Sequence, residues 1–255
     1  MCRHLAYLGP PVTLASLLYE APHGLVDQAR HSRHQASGRE NPDGWGVGWW
    51  PDDPSSAPRR YRSARPMWED TSFAGPASSE RSRAIVAAVR LASPGLPVEE
   101  TGNAPFSAGR WLFSFNGSVK GFGERGPVED ALRGAASPTR LAGIEGASDS
   151  ELLFALVLDR LDAGAAPAEA VADVVHLVEA TSGGRLNLLL ADGTAIVATA
   201  AGNSLFARAQ DGSVVVASEP FDDDPAWERV PDRRVLHADP GGWSAAELGP
   251  RLGAS

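Results

Sequence analysis

Short apolar runs closed by Gly, Pro or Asn-Gly and Asp-Gly pairs fill both ends of this chain, and runs with helical spacing lie between them. Residues 3–9 have the length and glycine stop of a strand. Residues 12–19 read as a short helix, with Pro10-Pro11 placed before it. A polar stretch from 20 to 42 lacks clear periodicity and reads as a loop able to close over a site. Residues 44–50 alternate Gly with bulky side chains, a strand pattern that lets something approach the backbone closely. Residues 52–58 form a turn segment, and 60–65 the returning strand of a hairpin. Apolar runs at 84–90 and 111–116 read as buried strands. The first delivers Arg90 at its carboxyl end, and the second ends in the turn pair Asn116-Gly117.

Two helices follow. Residues 148–161 open with Ser148 three positions before Glu151, a capping-box pattern. Leu152, Leu153, Leu156, Val157 and Leu161 then keep helical spacing. Residues 168–180 form the second, with Pro167 in its first turn. Strands return at 185–191, 194–200, 204–208 and 214–218. Asp192-Gly193 and Asp211-Gly212 are two-residue hairpin links between them. The Asp222–Asp224 run before Pro225 reads as a solvated loop. Strands, then helices, then strands predict an α+β domain with a largely antiparallel core, spanning residues 2–255 as one unit.

Composition narrows the function classes. At 255 residues, 43% hydrophobic and 22% charged, the chain can bury a sizeable core. A net charge of −9 argues against nucleic acid or an anionic membrane surface as partner. A single cysteine cannot form an internal disulfide, and no signal peptide or long apolar run is seen. A cytoplasmic location is expected. His31 and His34 are three apart but lack a matching carboxylate or cysteine pattern, so no metal and no cofactor are expected.

The cysteine is Cys2. If Met1 is removed, one residue carries a thiol nucleophile and an α-amine. The amine's pKa of roughly 7.7–8.0 lies near working pH, which suits it to proton transfer. Taken alone, Cys2 also reads as an ordinary second residue. Further motifs follow it in order: Met-Cys-Arg-His-Leu at 1–5, Asn-Pro-Asp-Gly-Trp-Gly-Val-Gly at 41–48, Val-Arg-Leu-Ala-Ser at 89–93, Phe-Asn-Gly-Ser at 115–118 and Ser-Asp-Ser-Glu at 148–151. In this order they resemble a class II glutamine amidotransferase domain, an amino-terminal-nucleophile hydrolase. The resemblance implies a four-layer αββα sandwich with two mainly antiparallel sheets between helical layers.

It also implies roles. Cys2 resembles the nucleophile, with its α-amine as base, and Asn116 and Gly117 resemble the oxyanion hole. Arg90 and Asp149 resemble the clamp on the carboxylate and ammonium of a γ-glutamyl head, with Ser93 assisting. By themselves, Asn116-Gly117 reads as a hairpin turn and Asp149 as a helix-N-terminal carboxylate. One departure is Ala88, where many amidotransferases carry His. The segments 1–5, 22–25 and 66–73 bring the chain closest to stand-alone amidohydrolases of ergothioneine biosynthesis. These take glutamate from a γ-glutamyl conjugate of a trimethylated histidine. The expected partner is therefore a small molecule, with Trp68 an aromatic candidate for the quaternary ammonium. Hydrolysis of other γ-glutamyl peptides, a stand-alone glutaminase subunit and an inactive binding module are the alternatives.

Overall fold

A computed structural model describes residues 2–35, 38–51, 56–93, 95–123 and 126–249. Met1 lies outside the described residues, as does most of the turn segment at 52–58. Two sheets form, and every strand pairing in both is antiparallel.

The first sheet contains β1 (Arg3–Thr13), β2 (Trp45–Trp49), β3 (Arg59–Ser63), β4 (Arg81–Val89), β9 (Phe206–Gln210), β10 (Ser213–Ala217) and β11 (Glu228–Arg229). Their spatial order is β11-β9-β10-β1-β4-β2-β3. The second contains β5 (Phe106–Ala108), β6 (Trp111–Val119), β7 (Gly184–Ala191), β8 (Ile196–Ala200), β12 (Arg234–Asp239) and β13 (Gly242–Glu247), in the order β13-β12-β8-β7-β6-β5.

Period-two alternation sorts the side chains into layers. In β1, Leu5 and Tyr7 join the outer core of the first sheet, while Ala6 and Leu8 face the second sheet. In β7, Leu186, Leu188 and Leu190 face helices, and Leu189 and Ala191 face the first sheet. The outer face of the first sheet is covered by a π-helical turn (Ser16–Glu20), α1 (Leu25–His31) and α2 (Ala74–Ser79). The outer face of the second is covered by α3 (Pro127–Gly134), α5 (Asp149–Asp162) and α6 (Pro167–Thr181), with α4 (Pro138–Ala142) packed on α5. The result is helix, sheet, sheet, helix. The middle layer is rich in alanine: Ala6, Ala84, Ala191, Ala198, Ala200, Ala207 and Ala238 are all buried there.

Several elements differ from the sequence reading. Strand β1 runs on through Pro10-Pro11, and Val12 and Thr13 pair with Ser82 and Arg81. A register shift between Leu8 and Val12 accommodates the prolines, which lack ladder donors. The helical turn therefore begins later than residue 12. The loop expected over 20–42 contains α1, whose Leu25, Gln28 and Ala29 are buried. Asn116-Gly117 is no turn. Strand β6 continues to Val119, with Asn116 opposite Asn187 and Gly117 opposite Leu186. The Asp222–Asp224 segment is more than a solvated loop: Asp222 accepts from Arg208 and from Trp227 Nε1. Strands β12 and β13, unexpected from the sequence, complete the second sheet. The β9–β10 link falls at Asp211-Gly212 as expected, whereas the β7–β8 link is a longer loop from Asp192 to Ala195, not the two-residue Asp192-Gly193 turn. Asp211 and Gly212 both have positive φ (52° and 72°), as a tight β9–β10 turn requires.

Candidate active site

Cys2 lies at the mouth of β1, half-buried, with Sγ 4.0 Å from the Leu91 carbonyl. It lines a narrow cleft together with Trp45, Ala88, Val89, Arg90, Gly102, Ala104, Phe106, Phe115 and Ser150. Four elements converge here because β1, β4 and β2 are adjacent in one sheet and β6 faces them in the other. Arg3 pairs with Val89, and Trp45 pairs with Val89 from the other side. The register thus brings the carboxyl end of β4 next to the start of β1.

Arg90 is 7% exposed. Its backbone is held on both sides: its N–H donates to the Gly44 carbonyl, and its carbonyl accepts from Asp43 N–H. The Asp43 carboxylate then accepts from Ala92 N–H at 2.8 Å. Asp43 therefore fixes the turn out of β4, a job that its sequence motif left unassigned. The Arg90 guanidinium donates to the Pro97 carbonyl at 3.1 Å and lies flat against Gly102, where a Cβ would meet it at 2.9 Å.

Asp149 is the first residue of α5, which Ser148 caps by accepting from Glu151 N–H. Its carboxylate accepts from Val119 N–H at 3.2 Å and from the Ser150 hydroxyl at 3.3 Å. Burial pushes its proton affinity above the ordinary carboxylate range, opposed by those hydrogen bonds and by the charge of Arg90. Arg90 and Ser150 both line the cleft, whereas Asp149 lies behind Ser150 and is not among the lining residues. A larger depression of about 180 Å³ lies beyond Phe106, lined by Arg60, Arg62 and Glu151 among others. It does not contain Cys2.

Asn116 is fully buried. One N–H of its amide donates to Ser218 Oγ at 3.1 Å, and its carbonyl oxygen has no partner. Since Nδ2 carries two donors, one remains for another acceptor. Gly117 follows, and a Cβ there would fall 1.9 Å from the Arg185 carbonyl. The Asn116 backbone carbonyl accepts from Asn203 Nδ2, and Asn187 Oδ1 accepts from the N–H groups of Ala201 and Asn203. Asn187 and Asn203 thus hold the loop after β8 against Asn116. The signal available beforehand was a lone Asn inside the apolar run at 185–191, which has to find partners when buried.

Asn116 and Gly117 follow the cleft-lining Phe115 on β6 but are not themselves lining residues, and the remaining expected positions lie elsewhere. Ser93 is exposed just past the turn out of β4. Trp68 packs on the outer core of the first sheet, with the Arg30 guanidinium 5.6 Å from its ring centroid. Trp45, not Trp68, lines the cleft; it is fully buried and donates to Asp70. The glycines of β2 do admit a close approach, but by the protein itself: a Cβ at Gly46 would meet the Ala104 carbonyl at 2.6 Å, and one at Gly48 would meet Leu112 at 2.5 Å. His31 Nδ1 lies 3.0 Å from Asp27, and His34 packs on Phe206. Among the described residues, no group of three or more His, Cys, Asp or Glu side chains is placed to hold a metal ion, and no helix is long and apolar enough to cross a membrane.

The model of class II glutamine amidotransferases matches residues 25–208. The chain belongs to this family. It is 42% identical to the gamma-glutamyl-hercynylcysteine sulfoxide hydrolase of Mycolicibacterium smegmatis over 92% of this chain and 95% of that protein. It is 38% identical to the protein of the same name from Mycobacterium tuberculosis, over 98% and 100%. Among solved structures, a glutamine aminotransferase class-II domain protein from Silicibacter pomeroyi superposes with a TM-score of 0.69 at 25% identity, covering 98% of this chain and 100% of that one. Glutamine phosphoribosylpyrophosphate amidotransferase from B. subtilis gives the same score at 15% identity, over 97% of this chain and 49% of that one. The latter shares the fold of two antiparallel sheets between helices, the α+β sandwich described above.

Proposed function

We propose that this family member hydrolyses the γ-glutamyl amide bond of γ-glutamyl-hercynylcysteine sulfoxide, releasing glutamate and hercynylcysteine sulfoxide. The observation that carries the reading is the match to two hydrolases of that name over nearly the whole of both partners. The geometry supports it. A cysteine, an arginine and the first turn of α5 share one small cleft, with an asparagine amide and a glycine on the facing strand.

In this reading Met1 is removed and the α-amine of Cys2 is free. The amine takes the thiol proton as sulfur attacks the γ-carbonyl. The carbonyl oxygen gains charge and is met by the Asn116 amide and the Gly117 N–H. The C–N bond then breaks, the leaving amine takes the proton, and a glutamyl thioester remains on Cys2. Water adds to the thioester, glutamate departs, and the thiol recovers its proton. Arg90 holds the α-carboxylate of the glutamyl head, and Asp149 its ammonium group. Together they deliver the γ-carbonyl to sulfur, which is catalysis by positioning.

The test is glutamate release from the sulfoxide conjugate, other γ-glutamyl peptides and glutamine, with the intact mass read in parallel. The conjugate should be turned over fastest, and Cys2→Ala should abolish turnover. Release from glutamine alone would overturn the substrate, and retention of Met1 in active protein would overturn the mechanism.

A further inference from the structure

Arg3 is one peptide bond from the proposed nucleophile and is fully buried. Its Nε–H donates to the Cys2 carbonyl at 2.8 Å. Nη1 lies 3.6 Å from Oε2 of Glu219, which is itself 1% exposed, and neither Nη1 nor Nη2 makes a hydrogen bond. The Glu219 carboxylate accepts from the N–H groups of Arg33 and His34 at 3.1 and 2.9 Å. Glu219 thus joins Arg3 to the segment that follows α1.

A buried ion pair is weak evidence for stability, because apolar residues of equal volume often serve as well. This one is also incompletely bonded, which makes it costlier still. Its placement therefore calls for a role beyond folding. We propose that Arg3 is a positioning residue for the reaction, acting through Cys2. Glu219 moderates its charge and clamps residues 33 and 34 alongside.

The inference rests on the function proposed above and adds two effects. The Nε–H bond fixes the carbonyl of Cys2, and with it the backbone that carries thiol and amine. The buried positive charge, on the residue next to Cys2, is placed to attract the negative charge that the attacking sulfur carries. Of the other charged groups, Arg90 lines the cleft with Cys2, Asp149 is buried within the influence of Arg90, and Asp43 is bonded to Ala92 N–H. His4, next in β1, is neutral at working pH. Burial weakens the hold of Arg3 on its proton, while the charges of Glu219 and of the Cys2 thiolate act the other way.

Cys2 is the only cysteine, so the rate of alkylation by iodoacetamide reports on this thiol alone. The full chain is alkylated across a pH series as wild type, Arg3→Lys, Arg3→Gln and Glu219→Gln, with thermal unfolding to verify folding. Removing the cation should move the midpoint up by about one pH unit in Arg3→Gln. Removing the anion should move it down in Glu219→Gln, while Arg3→Lys keeps the wild-type midpoint. The acid limb of glutamate release should follow the same order. If the variants lose activity with the midpoint unmoved, Arg3 is structural only and the proposal fails. If Arg3→Gln does not fold, an unchanged or raised midpoint in Glu219→Gln overturns it equally. Alkylation needs no substrate. If the order holds in a protein that releases no glutamate, the function reading fails while the action of Arg3 on Cys2 stands.

Discussion

Asn116 shows how one side chain acquires meaning from its surroundings. Before a strand it would be half of a turn signal. In mid-strand and fully buried, it gives one amide N–H to Ser218 and keeps a second, the donor proposed above for the developing oxyanion. Asn116→Ala should lower kcat for glutamate release by roughly 10²–10³, with a smaller change in KM, as measured by steady-state kinetics. His4 carries a different prediction. Burial, helped by the charge of Arg3, lowers its pKa from 6.5 to about 3. Between these values the unfolded chain binds a proton that the folded protein does not. Stability should therefore fall as pH drops from 6.5 towards about 3, and be untouched by His4 above 6.5. Asp149 acts in the opposite sense, because burial raises its pKa and the folded state holds its proton longer. The contribution of His4 is thus read as the difference between wild type and His4→Leu in urea unfolding. That difference should be flat above 6.5 and shrink below it.

At the scale of elements, register turns local motifs into a site. The pairings of Arg3 and of Trp45 with Val89 place three chain segments side by side, though they are some forty residues apart in sequence. Gly117 makes the same point through sterics. A Cβ there would sit 1.9 Å from the Arg185 carbonyl, a backbone atom that cannot swing away. Gly117→Ala should therefore push β6 from β7. A loss of about 1–3 kcal/mol is expected in denaturant unfolding, together with loss of glutamate release. Strand and helix identities were largely legible in the sequence. The α5 cap at Ser148 and the Asp211-Gly212 turn act locally, so local sequence reveals them. Strand ends were less legible. β6 runs past Asn116-Gly117 and β1 past Pro10-Pro11, because a partner strand continues to offer hydrogen bonds that no local signal announces.

For the whole molecule, the alanine-rich middle layer sets how closely the two sheets approach, and hence how far Cys2 and Asn116 stand apart across them. Ala198→Leu should overfill this layer, lowering stability by about 1–3 kcal/mol in thermal or denaturant unfolding. Cys2 alkylation in the variant that still folds would show whether the site is disturbed. The motif order from Cys2 to Asp149, the α+β class and the two-sheet sandwich could be stated from the chain alone. The α+β class depends on periodicity and turn signals, which are one-dimensional, and the sandwich was implied by the family resemblance that the ordered motifs carry. The separation of Arg90 and the α5 terminus from Trp68, the support of Asn116 by Asn187 and Asn203, and the anchoring of Arg90 by Asp43 were decided only in three dimensions. So was the buried contact of Arg3 with Glu219, 216 positions away. Each depends on which strands become neighbours and which faces turn inward. That is settled by packing between segments remote in the chain, and no window of sequence contains it.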